Sequence, residues 1–184
     1  MATPTSLPAT FTSGQVLTAA QMNNLRGAFR ILQVVSTAET DTFSASVASG
    51  GVSGAAIEAT ITPTSADSKI LVIAHISIGA VSNGVAVLYR GGSVLSGAVG
   101  DAASSRSQGT SGTGEQATGG RIIPSAPIIF LDSPATTSAT TYDVRLGHTS
   151  GTTQTVYLNR GDTDADAAYT WRGMSDLTLL EVSA

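Results

Sequence analysis

The fold is decided by one stretch of the chain, Lys69-Ile-Leu-Val-Ile-Ala-His-Ile-Ser-Ile78. Its side chains are apolar on both faces of an extended strand, which is typical of a strand in the middle of a sheet. His75 shares one face with Leu71 and Ile73, so we expect a core histidine whose hydrogen bonds are satisfied. The stretch therefore predicts a β protein with a central strand at 69–78.

Short runs with a period of two lie on both sides of this strand. In one of them, Tyr142, Val144 and Leu146 alternate with Asp143 and Arg145, as in a sheet with one face in water. No helical pattern follows residue 30, so we predict a mainly β chain, an antiparallel β-sandwich or jelly-roll-like body. The predicted strands lie at 31–36, 41–46, 55–62, 69–78, 85–90, 93–96, 121–131, 141–147, 153–159 and within 169–182.

Residues 1–30 follow a different pattern. Pro4 and Pro8 among small polar residues favour an extended arm. Thr18 and Gln21 then have the spacing of a capping box, which marks the start of a helix. We therefore divide the chain into an N-terminal anchor arm with one short helix at 1–30 and a β-sandwich domain at 31–184.

The predicted helix carries a narrow apolar stripe. Met22, Leu25 and Phe29 lie at i, i+3 and i+7, and Leu17 is placed to form a hydrophobic staple with Met22. A helix of about three turns is marginal alone in water, so this stripe needs a surface to pack on. That surface is the following domain, a second copy of the chain, or another protein.

A long segment rich in glycine and serine lies at 97–120. It has too little apolar surface to order itself alone, and loops of this length are functional or mobile. We expect a solvated loop that exposes Ser104, Ser105 and Arg106.

Composition excludes several classes of protein. Ser, Thr, Ala and Gly make up half of the chain, and cysteine is absent, which rules out a disulfide scaffold and thiolate metal sites. The net charge is −4 with only 12% charged residues, which argues against a nucleic-acid binder. We expect no signal peptide and no membrane insertion, because no basic, apolar leader and no apolar run of about 18 residues is present.

The search for chemistry gives one weak candidate. Asp162, Asp164 and Asp166 alternate and offer oxygen ligands for Ca²⁺, although a solvated acidic turn is the simpler interpretation. His148 lies at a strand end, where we expect it to be exposed, and two isolated histidines do not predict a zinc site. No catalytic or nucleotide-binding motif is present. We therefore predict no enzyme, no resident metal and no cofactor.

Several segments, taken in order, resemble those of a family of structural proteins in tailed bacteriophages. The opening segment is similar to a short module that precedes a β-rich body in phage minor structural and fibre proteins. The segments are 12–24 (TSGQVLTAAQMNN), 61–72 (ITPTSADSKILV), 88–95 (LYRGGSVL), 100–106 (GDAASSR), 130–142 (FLDSPATTSATTY), 156–160 (VYLNR) and 172–182 (RGMSDLTLLEV).

The resemblance implies a non-enzymatic virion protein, assembled in the host cytoplasm. We expect a homotrimeric fibre or spike, since phage appendages are commonly threefold, anchored to other virion proteins through residues 1–30. A host surface receptor is a further expected partner. The alternatives are a capsid decoration or head-fibre protein and, from another class, a carbohydrate-binding or carbohydrate-active β-sandwich.

Overall fold

The computed structural model describes residues 13, 14, 16, 18, 19, 31–80, 82–114 and 120–183. The regular elements named in this part of the chain are strands and a single 3₁₀ turn at Ser96–Ala98, joined by turns and irregular segments. The predicted helix and its stripe residues Leu17, Met22, Leu25 and Phe29 lie outside the described residues. The strands are β1 Ile31–Glu39, β2 Phe43–Val47, β3 Val52–Ile61, β4 Lys69–Ala80, β5 Gly84–Arg90, β6 Ser93–Val94, β7 Ser111–Gly112, β8 Ser125–Asp132, β9 Thr140–His148, β10 Gln154–Leu158 and β11 Ser175–Val182.

Two antiparallel sheets pack face to face, which confirms the predicted β-sandwich. Sheet I has the order β1-β11-β4-β10-β2, with β8 paired to residues 70–77 of β4. Sheet II has the order β3-β9-β5-β6, with β7 paired to β5. Every strand pair is antiparallel, and β4 is central in sheet I, as the stretch at 69–78 predicts.

The core lies between the sheets and is built from one alternating set of each strand. In β4 these are the side chains that face sheet II, and in β9 they are the side chains that face sheet I. Each of the following is at most 3% exposed: Ile70, Val72, Ala74, Ile76, Tyr142, Val144 and Leu146. Burial of this apolar surface is the main stabilising contribution to the fold.

A tight hairpin turn joins β5 and β6. Gly91 and Gly92 have φ of 57° and 78°, the left-handed values that a type I′ turn requires at both positions. The two glycines therefore determine the register of this hairpin.

The sandwich has two ends. The end where the chain enters β1 contains Ile31, Lys69 and Val182, which lie in one row across sheet I; we call it the arm end. The opposite end contains the turns at 48–51 and 149–153, which follow β2 and β9; we call it the far end.

A buried polar cluster lies between the sheets near the arm end. The Asp132 carboxylate accepts hydrogen bonds from Tyr142 Oη and Arg90 Nη1, each at 2.6 Å. Burial, together with the bond to Asp132, raises the pKa of Tyr142. All three groups are satisfied by one another, so the cluster fastens β5, β8 and β9 together.

The segment at 97–120 is more ordered than its composition suggests, over the part that the structure describes. Its short strand β7 pairs with β5, and Thr110 and Thr113 place their hydroxyls to accept the backbone N–H groups of Leu88 and Gly84 at 2.9 and 3.0 Å. The described part of the segment is largely exposed, as predicted for a solvated loop, but its threonine hydroxyls also complete the hydrogen bonding of β5.

Both histidine predictions were wrong. His75 is exposed on the outer face of sheet I. His148 is 1% exposed; its ring bonds Val47 O through Nε2 at 2.8 Å and accepts from Ser150 N at Nδ1. The strand alternation placed His75 with Leu71 and Ile73 correctly, but that face points away from sheet II.

The outer face of sheet I at β10 is covered by the chain itself. Tyr157 is 9% and Asn159 0% exposed, because the segment at 160–174 folds back over this part of sheet I. Tyr157 Oη donates to Asp162 Oδ1 at 2.8 Å, which holds the segment down.

Candidate assembly surface

The outer face of sheet I carries an unusual row of apolar side chains. The register brings Val34 of β1 beside Leu180 of β11, Leu180 beside Leu71 of β4, and Leu71 beside Leu131 of β8. Ile73 and Ile129 follow in the next row. We call the six residues Val34, Leu71, Ile73, Ile129, Leu131 and Leu180 the apolar face.

Much of the apolar face is open to water in the single chain. Ile129 is 75% exposed, Val34 57%, Leu131 50% and Ile73 37%, while Leu71 and Leu180 in the middle are half-buried. Scattered exposed apolar side chains are normal, but a contiguous apolar patch marks an interaction surface. Fully burying each such side chain is worth about 1.5–3 kcal/mol.

The outer face of sheet II is different in kind. There Arg145 pairs with Asp143 at 2.7 Å and stacks on the Tyr89 ring at 4.0 Å, and the hydroxyls of Thr60 and Thr141 bond each other at 2.7 Å. These groups are polar and satisfied within the chain. The two outer faces therefore differ in chemistry: that of sheet II is polar and paired within the chain, and that of sheet I is apolar.

Polar residues border the apolar face at both ends of the strands. Lys69 lies at the arm end of β4, and His75 pairs with Asp176 toward the far end. An apolar centre within a polar rim is the usual anatomy of a protein interface.

The strands at the two edges of the apolar face favour contact through side chains over pairing with an added strand. β1 and β8 each pair with a single strand in the described part of the chain. Pro127 lies within β8 and has no N–H to offer an added strand, a common protection of sheet edges. The apolar side chains of β8 are therefore available for side-chain packing, while extension of the sheet is discouraged.

The three predicted calcium ligands do not come together. Asp162 is bonded to Tyr157, and Asp164 accepts from Arg172 Nε and Nη2 at 3.2 and 2.8 Å. The hydrogen bond from Arg172 holds the pKa of Asp164 below its ordinary value, despite a small opposing effect of desolvation. Within the described ranges no three His, Asp or Glu side chains are arranged to hold a metal ion.

The sole tryptophan lies beside this acidic turn. Trp171 is 54% exposed and lines an open cleft of about 460 Å³ together with Asp164 and Arg172. Because Asp164 is engaged by Arg172, and Arg160 Nη1 lies 3.8 Å away, its charge is already compensated. These contacts favour ion pairing of Asp164 over a role for this carboxylate in acid–base chemistry.

The predicted loop residues Ser104, Ser105 and Arg106 are exposed. Ser105 and Arg106 lie near the far end, beside the turns at 49–50 and 149–151. Asp164 and Asp166 line a different cleft, which Ser105 and Arg106 do not reach.

Sequence reasoning did not single out the apolar face. The signal was present in β4, whose Leu71 and Ile73 are apolar on the face opposite the core, and in β8, where Ile129 and Leu131 alternate with core residues. A strand that is apolar on both faces favours burial of both. Within the described part of one chain, the apolar side chains of β4 are covered on the face toward sheet II, whereas Leu71 and Ile73 on the outer face are not covered.

Comparison with known proteins gave neither a matching family model nor a matching curated protein. None of the helices in the described part of the chain is long and apolar enough to cross a membrane.

Proposed function

We propose that the chain is a non-enzymatic structural subunit of a bacteriophage virion. In this proposal it forms a homotrimeric fibre or spike on the particle surface, and residues 1–30 anchor it to other virion proteins. The sequence resemblance supports the phage assignment. The apolar outer face of sheet I is the observation that carries the assembly part of the proposal.

The exposed side chains at both edges of the apolar face are compatible with head-to-tail contact between copies. Exposure is highest at the two edges, at Ile129 of β8 and Val34 of β1, and lower in the middle. A copy that lays its β8 side chains on the β1 side of the next copy covers both edges at once. Such head-to-tail contacts close into rings, and three copies give the threefold symmetry expected of an appendage.

Immunoelectron microscopy tests the location. Antibody raised against the purified chain should label the tail or its fibres on intact particles of the virus that encodes it. Label spread over the shell would favour the capsid decoration alternative. Absence of the chain from the proteins of purified particles would contradict a virion role altogether.

A further inference from the structure

One arginine in the described part of the chain is committed to no other charged or aromatic side chain. Four described arginines lie within 4.0 Å of a carboxylate, and a fifth stacks over a tyrosine ring at 4.3 Å. Those five are Arg90, Arg145, Arg160, Arg172 and Arg121. Arg106 is exposed and has no such partner among the described residues. Its guanidinium is therefore available to an external anion.

A strained turn presents this arginine. Arg106 N donates to Ala103 O at 3.2 Å, which closes a tight turn, and Ser104 within it has φ of 55°. The left-handed region is uncommon for a residue other than glycine. Backbone strain of this kind concentrates at binding sites, where the surrounding structure holds it in place.

Arg106 opens onto a cleft of about 550 Å³ at the far end. Three loops line it, at residues 49–50, 105–107 and 149–151. Besides the guanidinium, the described lining offers hydroxyl groups and backbone, without a carboxylate or an aromatic ring: Ser49, Ser105, Ser107, Thr149 and Ser150. We call it the far-end cleft.

A buried histidine fixes two of the three walls. Ser150 N donates to His148 Nδ1 at 3.1 Å, so the proton of the neutral ring lies on Nε2, which donates to Val47 O at 2.8 Å. One ring thus ties the end of β2 to the turn after β9. A wall that is held in place before binding loses less entropy when a ligand arrives.

We propose that the far-end cleft binds an acidic saccharide. Serine and threonine hydroxyls both donate and accept, which matches the hydroxyl groups of a sugar ring. Arg106 pairs with the carboxylate or phosphate of the ligand through a fork of N–H donors. One guanidinium among the described lining of the cleft, on a chain of net charge −4, does not suit a long polyanion such as a nucleic acid.

The position of the cleft fits recognition of a surface outside the particle. The chain enters the sandwich at the arm end, and the far-end cleft lies at the opposite end of the strands. This part of the inference rests on the proposed function, in which residues 1–30 face the virion. Three copies in one trimer would add avidity to individually weak sites.

Calorimetric titration of the full chain with a defined panel tests the inference. The panel contains carboxylate sugars (trigalacturonic acid, 3-deoxy-octulosonic acid and N-acetylneuraminic acid), glucose 6-phosphate, and neutral galactotriose. We expect at least one acidic member to bind about tenfold more tightly than galactotriose, and binding to weaken as salt is raised. The carboxylate and phosphate arms show which anion the cleft prefers.

Matched variants show whether binding occurs at the cleft. Arg106→Gln should weaken binding of the preferred acidic sugar at least about tenfold, and Arg106→Lys should weaken it less, because the charge remains while the planar fork is lost. Arg121→Gln removes one positive charge from an exposed arginine that does not line the cleft, and it should leave binding unchanged. Equal binding by wild type and Arg106→Gln, or no binding of any acidic member, would overturn the inference.

Failure here is distinguishable from failure of the proposed function. Loss of sugar binding by Arg106→Gln leaves the mass of the assembly and its place on the particle unaffected. Conversely, a monomeric chain that still bound an acidic sugar through Arg106 would contradict the trimer and keep the far-end cleft.

Discussion

Asn159 joins parts of the fold that are distant in sequence, and the alternation of the strands does not predict this role. It is fully buried with φ of 61°, and its Nδ2 donates to the carbonyls of Glu39 and Asp41 at 2.8 and 2.9 Å. Its Oδ1 accepts from Ser175 Oγ at 2.7 Å. The side chain thus joins the β1–β2 connection to the start of β11, and the left-handed backbone suits asparagine better than most residues.

Replacing this side chain should be costly. Asn159→Ala removes all three hydrogen bonds, one of them with the buried Ser175 hydroxyl, so we expect it to lower the free energy of unfolding by about 2–4 kcal/mol. Urea unfolding at one fixed protein concentration measures the change. Asn159→Gly, which relieves any backbone strain, should remain nearly as unstable; full recovery by glycine would show that the bonds matter little.

Glu181 gives the structure a defined response to acid. It has no exposed surface, and its carboxylate accepts from Gln33 Nε2, Thr64 N and Thr64 Oγ1, each at 2.7 Å. Burial opposes its ionisation, but these bonds outweigh burial and hold the pKa below the ordinary value of 4.5. The ionised form is therefore favoured by folding.

The sign of the pH effect follows from this lowered pKa. The carboxylate stabilises the fold above the ordinary pKa, and the stabilisation is lost as the pH falls through the lower pKa of the folded state. We expect Glu181→Gln to be less stable than wild type at neutral pH and to lose less stability on acidification below about pH 4.5. Urea unfolding across that range compares them; parallel curves would argue against the assignment.

Among the larger elements, the segment at 160–174 depends on a close approach to β4. A Cβ built on Gly79 would lie 2.1 Å from Arg160 O, far inside contact distance. Any side chain here must push the segment away from sheet I. Only glycine therefore allows Tyr157 and Asn159 to stay covered.

Gly79→Ala should destabilise the chain by more than about 2 kcal/mol, as expected for overpacking against backbone. Thermal unfolding provides the measurement. Gly54→Ala is the control, because Gly54 also lies in a strand and a Cβ there meets nothing within 4 Å. Equal melting temperatures for the two variants would contradict the packing described.

The strands were predictable because β4 is a run that is apolar on both faces, alternation is strong in β9, and glycines mark the β5–β6 turn. What alternation cannot give is which face of a strand is buried, since it separates two sets of residues without assigning either to the core. Sequence reasoning therefore placed His75 in the core and did not single out the apolar face. β7 has only two residues, too few to show an alternation. The far-end cleft combines three loops distant in sequence, and only Arg106 and its neighbours were expected to be exposed.

At the scale of the whole molecule, the proposed assembly depends on the difference between the outer faces of the two sheets. A charge placed on the apolar face should break the assembly, because it would be buried without a partner. We expect Ile129→Lys to reduce the mass in solution to that of one chain while the fold, judged by circular dichroism, is retained. Ile129 is largely exposed, so the substitution does not disturb the core.

Glu58→Lys is the matched control on the opposite sheet. Glu58 is exposed on the outer face of β3, in register with Asp143 of β9, so a lysine there is solvated and well placed. Its mass in solution should equal that of wild type. If Glu58→Lys dissociated the assembly and Ile129→Lys did not, sheet II would be the contact surface.

The most direct measurement is the mass of the wild-type chain by size-exclusion chromatography with multi-angle light scattering at micromolar concentration. For the proposed trimer we expect a mass three times the 18.5 kDa of one chain. A mass of one chain would contradict it, because the apolar face would then remain open to water in the isolated protein.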